Sequence, residues 1–281
     1  MPGLAVCDSS WSRRWVVRHQ TAMGLYVAGL WRYPAKTLAG ERLSTAVVGF
    51  TGIFGDRTIW VVGPEGVRTS RRHYRLLGLR GTLSAQGHVL INGYLWKSRE
   101  ALALVKRAAG DDAWLAASDV QDRFDVLPLL VATDGAVAAF GRDVRRLRPN
   151  ILIGGVDGLA ECDWPGAELH IGSLIVRLDS LRARCPMTTV DPDTLERDAE
   201  VLRDIGRRFR GRLALNSDVA RPGTIAIGDP VTLVRPHEQA RSAIRATTRR
   251  HEPVANSSLT PDSSPDSSSL STAVREQACP P

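Results

Sequence analysis

The segment SLRARCPMTTVDPDT (180–194) gathers Arg182, Arg184, Cys185, Thr188, Thr189, Asp191 and Asp193 in a short stretch. It follows an alternating, strand-like run and precedes a helix-like one. A thiol set between an arginine and a proline at a strand end feels positive charge, which favours its ionised form. A thiolate is both a nucleophile and a ligand for soft metals. The same placement also suits a buried structural cysteine where a strand gives way to a loop, and the segment alone leaves both readings open. Cys7 and Cys279 fall in terminal segments and Cys162 in a loop, and no CxxC pair or other short ligand spacing links the four cysteines.

Two further clusters supply charge. RYPAKTLAGERL (32–43) followed by FGDRTIWVV (54–62) offers Lys36, the hydroxyl of Thr37 and Arg57, a set that could converge on an anion. A surface pairing of Arg57 with Asp56 or Glu41 is the competing reading. In RRLRPNILIGG (145–155), Arg148 and Asn150 flank Pro149, which is expected to hold the backbone extended just before a buried strand.

These residues need elements to position them. Strand-like runs occur at 25–33, 45–50, 58–63, 87–92, 168–178 and 224–234, most of them punctuated by glycine, proline or aspartate. Two segments read as helices. In SREALALVKRAAG, Ser98 caps and Gly110 stops an apolar face. In DTLERDAEVLRDIGRRF, Leu195, Leu202 and Ile205 recur at helical spacing. A weaker helix is expected over 134–145. Many strands and few helices predict a mainly β (α+β) architecture with peripheral helices.

The 281 residues are 43% hydrophobic and 24% charged, which excludes a wholly disordered or collagen-like chain. Of 37 cationic residues only Lys36, Lys97 and Lys106 are lysines, so the net charge of +7 is carried by arginine, the side chain suited to bidentate anion recognition. No basic helix or recognised motif supports nucleic acid as the anion. No apolar run approaches a membrane span or a signal-peptide core, so no membrane partner and a cytoplasmic location are expected. An N-terminal extension over 1–22 and a disordered Ser/Pro-rich tail over 237–281 are expected.

In this order and at these separations, YPAKT, GDRTIW, RPN, RC followed by TTVDPDT, and GTIAIGDPVTL resemble the MOSC family, proteins related to the C-terminal domain of molybdenum cofactor sulfurase. The resemblance covers roughly residues 25–235. It implies an N-terminal β-barrel subdomain over 23–118 packed on a MOSC β-barrel domain over 119–236. It implies molybdenum-molybdopterin as cofactor, Cys185 as the metal ligand and catalytic residue, and Lys36, Thr37, Arg57, Arg148, Asn150 and Arg184 as cofactor-binding residues. The activity implied is a molybdenum-dependent oxidoreductase that reduces small N-oxygenated substrates. Its electrons would come from an external carrier, a ferredoxin, a flavodoxin or a cytochrome b5-like protein with its reductase. The alternative is a non-redox role, carrying sulfur as a Cys185 persulfide or binding and protecting the cofactor. The sulfurase itself needs a pyridoxal-phosphate domain, for which no room remains. Two departures stand out: Ala183 where reductases often carry serine, and a serine-rich end where some relatives continue into a ferredoxin domain.

Overall fold

The computed structural model describes residues 24–117 and 123–235. The extension expected over 1–22 and the tail expected over 237–281 lie outside them, as do Cys7 and Cys279.

The first stretch contains ten short strands and one helix. They are β1 (Tyr26–Arg32), β2 (Glu41–Leu43), β3 (Thr45–Gly49), β4 (Gly52–Ile53), β5 (Ile59–Gly63), β6 (Gly66–Val67), β7 (Gly81–Leu83), β8 (Val89–Ile91), β9 (Tyr94–Leu95), α1 (Arg99–Ala109) and β10 (Trp114–Ala117). The second holds β11 (Leu129–Thr133), α2 (Asp134–Phe140), β12 (Ile151–Gly154), β13 (Glu168–Ile171), β14 (Leu174–Ala183), α3 (Ala199–Phe209), β15 (Arg212–Arg221), β16 (Gly223–Ala226) and β17 (Thr232–Val234). The protein is mainly β with helices at the periphery.

Eight strands form one sheet in the order β17-β13-β14-β15-β11-β12-β1-β2, open at both edges. Its pairs are antiparallel except β11 with β12, which run parallel because α2 carries the chain back between them. Three small sheets complete the fold: β10-β5-β6, β16-β3-β4 and β7-β8-β9. The first strand pair therefore belongs to the large sheet, and β16, near the end of the described chain, pairs with β3 near its beginning.

Alternation decides which face is buried. In β14, Leu174, Val176 and Leu178 point inward while Arg177 and Asp179 face solvent. They pack with Leu30, Val131, Ile151, Ile153 and Leu215 in the main core, each worth about 1.5–3 kcal/mol when fully buried. A second core joins Leu38, Val61, Leu76 and Ile91 to the inner face of α1. In a third, Val201, Ile205 and Phe209 of α3 meet Phe140 of α2, Leu147 and Leu213.

The helix boundaries refine the sequence reading. Ser98 caps α1 as expected, its hydroxyl accepting from the Ala101 N–H at 3.2 Å. The expected 134–145 helix stops at Phe140, because Gly141 takes the left-handed conformation (φ 68°) that closes a helix. The last predicted helix begins only at Ala199, capped by Asp198. Upstream of it, the Asp191 carboxylate accepts from the backbone N–H groups of Asp193 and Thr194 at 3.0 Å each, and Leu195 turns to φ 61°. The loop thus closes on itself before the helix starts.

Candidate functional site

β14 delivers the thiol. The strand ends at Ala183, and Cys185, extended at φ −128° and ψ 172°, caps a single 3-10 turn over Pro186–Thr189. Two hydroxyls fix that turn: Thr188 donates to the Cys185 carbonyl at 2.9 Å and Thr189 to the Pro186 carbonyl at 2.7 Å. Both threonines are buried. Arg146 adds a third tie, donating to the Thr188 carbonyl at 3.2 Å and pairing with Asp191 at 2.7 Å. The TTVDPDT string therefore shapes the loop that holds the free thiol of Cys185.

The cationic wall is built from three other places. Lys36 and Thr37 form a turn after β1, anchored by the Lys36 N–H donating to the Ile59 carbonyl at 2.8 Å. Arg57 closes the turn before β5, its N–H donating to the Tyr33 carbonyl at 2.7 Å. Arg148 stands before β12 with its guanidinium 4.2 Å from the centre of the Tyr33 ring, a cation–π contact that Arg57 also makes at 5.3 Å. The extended backbone expected of Arg148 before Pro149 is not observed; its φ is 57°. Thr37 (φ 74°) and Arg57 (φ 51°) share the left-handed region. Three of the expected site residues thus hold a conformation side chains disfavour, a strain the packed surroundings must sustain.

Beneath these cations lies a carboxylate with no exposure, Asp56. It accepts from the Tyr33 N–H at 2.6 Å and pairs with Arg57. The Asn150 amide, also fully buried, donates to the Trp31 carbonyl at 3.3 Å and to Asp56 at 3.4 Å, and accepts from the Leu130 N–H at 3.2 Å. Asn150 lines the site with an amide already engaged by the protein. Burial pushes the Tyr33 phenol up to about 12, against the lowering pull of Arg148 and Arg57. Burial likewise lowers the guanidinium groups of Arg148 and Arg184 to about 10 each. Both stay cationic at neutral pH, so the positive field is permanent.

Lys36, Thr37, Arg57, Arg148, Asn150, Arg184 and Cys185 all line one cavity of about 90 Å³. Arg71, Phe124, Asp125, Arg182 and Asn216 join them there. Only Arg182 carried a signal, through its place in the cysteine segment. Two polar atoms at the site, Thr37 Oγ1 and Arg184 Nε, are buried with no hydrogen-bond partner. Among the described residues no group of three or more His, Cys, Asp or Glu side chains could hold a metal ion. The donor set is one thiol among cations.

A family model described as a MOSC N-terminal beta barrel domain matches residues 24–119, and one described as a MOSC domain matches residues 133–232. The chain is a member of the MOSC family. Both matched segments contribute to the cavity, Lys36 and Arg57 from the first and Arg148 and Cys185 from the MOSC segment. This MOSC chain is 26% identical to human mitochondrial amidoxime-reducing component 1 over 83% of its own length and 91% of that protein. It is 30% identical to human mitochondrial amidoxime reducing component 2 over 38% of its length, 37% of the relative. It is 30% identical to the molybdenum cofactor sulfurase of Anopheles gambiae over 62% of its length but 19% of that protein. Its function is related to the molybdenum cofactor. No helix among its described residues is long and apolar enough to cross a membrane.

Proposed function

We propose that this MOSC protein binds molybdenum-molybdopterin and removes oxygen from small N-hydroxylated substrates, using electrons from a separate carrier protein. The observation that carries this reading is the meeting of one free thiol with six cations on the walls of a single cavity. Molybdopterin presents a phosphate, a polar ring edge and a dithiolene, so it asks for fixed cations, hydrogen-bond partners and a thiolate for its metal. The lining fits on internal grounds. Buried polar atoms are ordinarily paired, and the lone Thr37 Oγ1 and Arg184 Nε are atoms such a ligand would satisfy. The similarity to amidoxime-reducing components along most of the chain supports the reaction class.

In this reading Cys185 holds the metal, and the bound group supplies two-electron oxygen-atom chemistry that no side chain here performs alone. The chain's own residues bind and orient. Lys36, Arg57, Arg148 and Arg184 meet the anionic and polar parts of the ligand, with Thr37 adding one hydroxyl. Asn150 acts through Arg57 and Asp56 and is a positioning residue. Thr188 and Thr189 fix the turn that aims the thiol.

Protein produced with active cofactor synthesis should purify with near-stoichiometric molybdenum and pterin. Cys185→Ser should abolish benzamidoxime reduction by a chemical electron donor while circular dichroism stays unchanged. Purified protein without molybdenum, or a serine variant as active as its parent, overturns the reading.

A further inference from the structure

The cavity walls carry Lys36, Arg57, Arg71, Arg148, Arg182 and Arg184 and, among the described residues, one carboxylate, Asp125. Three of the cations meet on it. Asp125 Oδ1 lies 3.0 Å from Lys36 Nζ, and Oδ2 lies 3.4 Å from Arg71 Nη2 and 3.3 Å from Arg182 Nη2. Lys36 and Arg182 are well covered, with side chains 14% and 21% exposed. Arg71 and Asp125 are more open, at 49% and 38%, so the carboxylate offsets the repulsion among the cations at a partly hydrated edge. Burial acts to raise the Asp125 carboxyl, but Lys36, then Arg71 and Arg182, outweigh it and hold the group below the ordinary carboxylate range.

The same segment lines the cavity. Phe124 lies against Arg57, 5.8 Å from ring centre to guanidinium, and Val126 and Leu127 line the wall beside it. About 90 Å³ of free space remains, whereas pockets for small ligands begin at ~300 Å³. Asp125 holds the charge position that an anionic ligand needs, and its neighbours narrow the cavity from one wall.

We propose that Asp125 is a built-in competing anion that sets the charge a ligand must bring to the Lys36–Arg71–Arg182 cluster. A singly charged ion only replaces one carboxylate with another charge of equal size and must still move the segment. A doubly charged tetrahedral oxyanion, free phosphate or a phosphate monoester, brings the larger charge and more acceptor atoms, so it displaces Asp125 and draws Phe124–Leu127 away with it. The inference rests on the reading above for the choice of cavity and adds the charge requirement of the ligand's anionic end.

The test uses the full-length, metal-free protein titrated calorimetrically with inorganic phosphate at mildly alkaline pH, and separately with acetate. Wild type should bind phosphate and not acetate. Asp125→Asn should bind phosphate about tenfold more tightly, as expected for removal of one part-exposed competing charge, and should acquire acetate binding. Arg71→Gln in that background should lose the gain. Equal or weaker phosphate binding by Asp125→Asn overturns the proposal, because the carboxylate would then organise the cations instead of competing for them. Wild type offers an independent check by hydrogen exchange: phosphate should lower protection at residues 124–127, and raised protection there counts against displacement. Phosphate effects in a protein that never loads molybdenum keep this inference and remove the functional reading. Molybdenum loading without any effect at position 125 does the reverse.

Discussion

Arg184 Nη2 donates to the Leu147 carbonyl at 2.8 Å, so the residue beside Cys185 is fastened to the residue before Arg148. The Arg184 N–H, meanwhile, donates to the Gly211 carbonyl at 2.8 Å. One arginine thereby joins the end of β14 to two neighbouring segments. Arg184→Lys keeps the charge but not the planar reach of the guanidinium. It should cost about 2 kcal/mol, the value of a hydrogen bond from a charged donor, read as a lower midpoint in urea unfolding.

Asp56 is the buried counter-charge of the site. Asp56→Asn removes the buried carboxylate from its ion pair with Arg57 and weakens the bond to the Tyr33 N–H. A loss of about 3 kcal/mol is expected, the cost of breaking a buried pair. Asp112→Asn, where the carboxylate paired with Arg68 is exposed, is the control and should move the unfolding midpoint far less.

The Thr37 hydroxyl is buried with no hydrogen-bond partner, and the proposed function assigns it to the ligand. Thr37→Ala removes a buried oxygen without a partner, so the thermal midpoint should hold or rise. Molybdenum and pterin content should fall in the same preparation. A variant that loses stability and keeps full loading contradicts this assignment.

Acid should dissolve the Asp125 cluster at a defined point. Its carboxyl lies below the unfolded value of about 3.9. A depressed carboxyl contributes its full stability above that unfolded value and loses it as pH falls through the lower folded one. The stability difference between wild type and Asp125→Asn should stay flat from neutrality to about pH 4 and shrink towards zero below it. Paired urea titrations across that range measure it.

The strands with clean alternation were legible in the sequence, and so was the cap at Ser98. The cysteine segment was legible too, because Cys185, Thr188, Thr189 and Asp191 act within one short loop. What stayed hidden depended on non-local approach. Nothing near Asp125 in sequence announces Lys36, Arg71 and Arg182, which arrive from three distant turns and strands. The left-handed Arg148 was misread because the local rule for a residue before proline lost to tertiary contacts, chiefly its stacking over Tyr33. Leu195 misled as well: Asp191 caps a single turn, but Leu195 takes φ 61° and turns the chain off the helical path before α3 begins.

The pairing of β1 with β12, Tyr26 opposite Gly154, has a consequence for synthesis. The first strand finds β2 early on one edge, but its other edge waits for β12, which is still being translated. β3 likewise has β4 beside it early and waits longer for its second neighbour, until Gly223 and Ile225 emerge to meet Val48 and Ala46. Such distant closures make folding slow and leave apolar strands exposed to aggregation in the interval. The cavity lined by Lys36 and Cys185 draws on both ends of that span, so an unfinished chain lacks the proposed site.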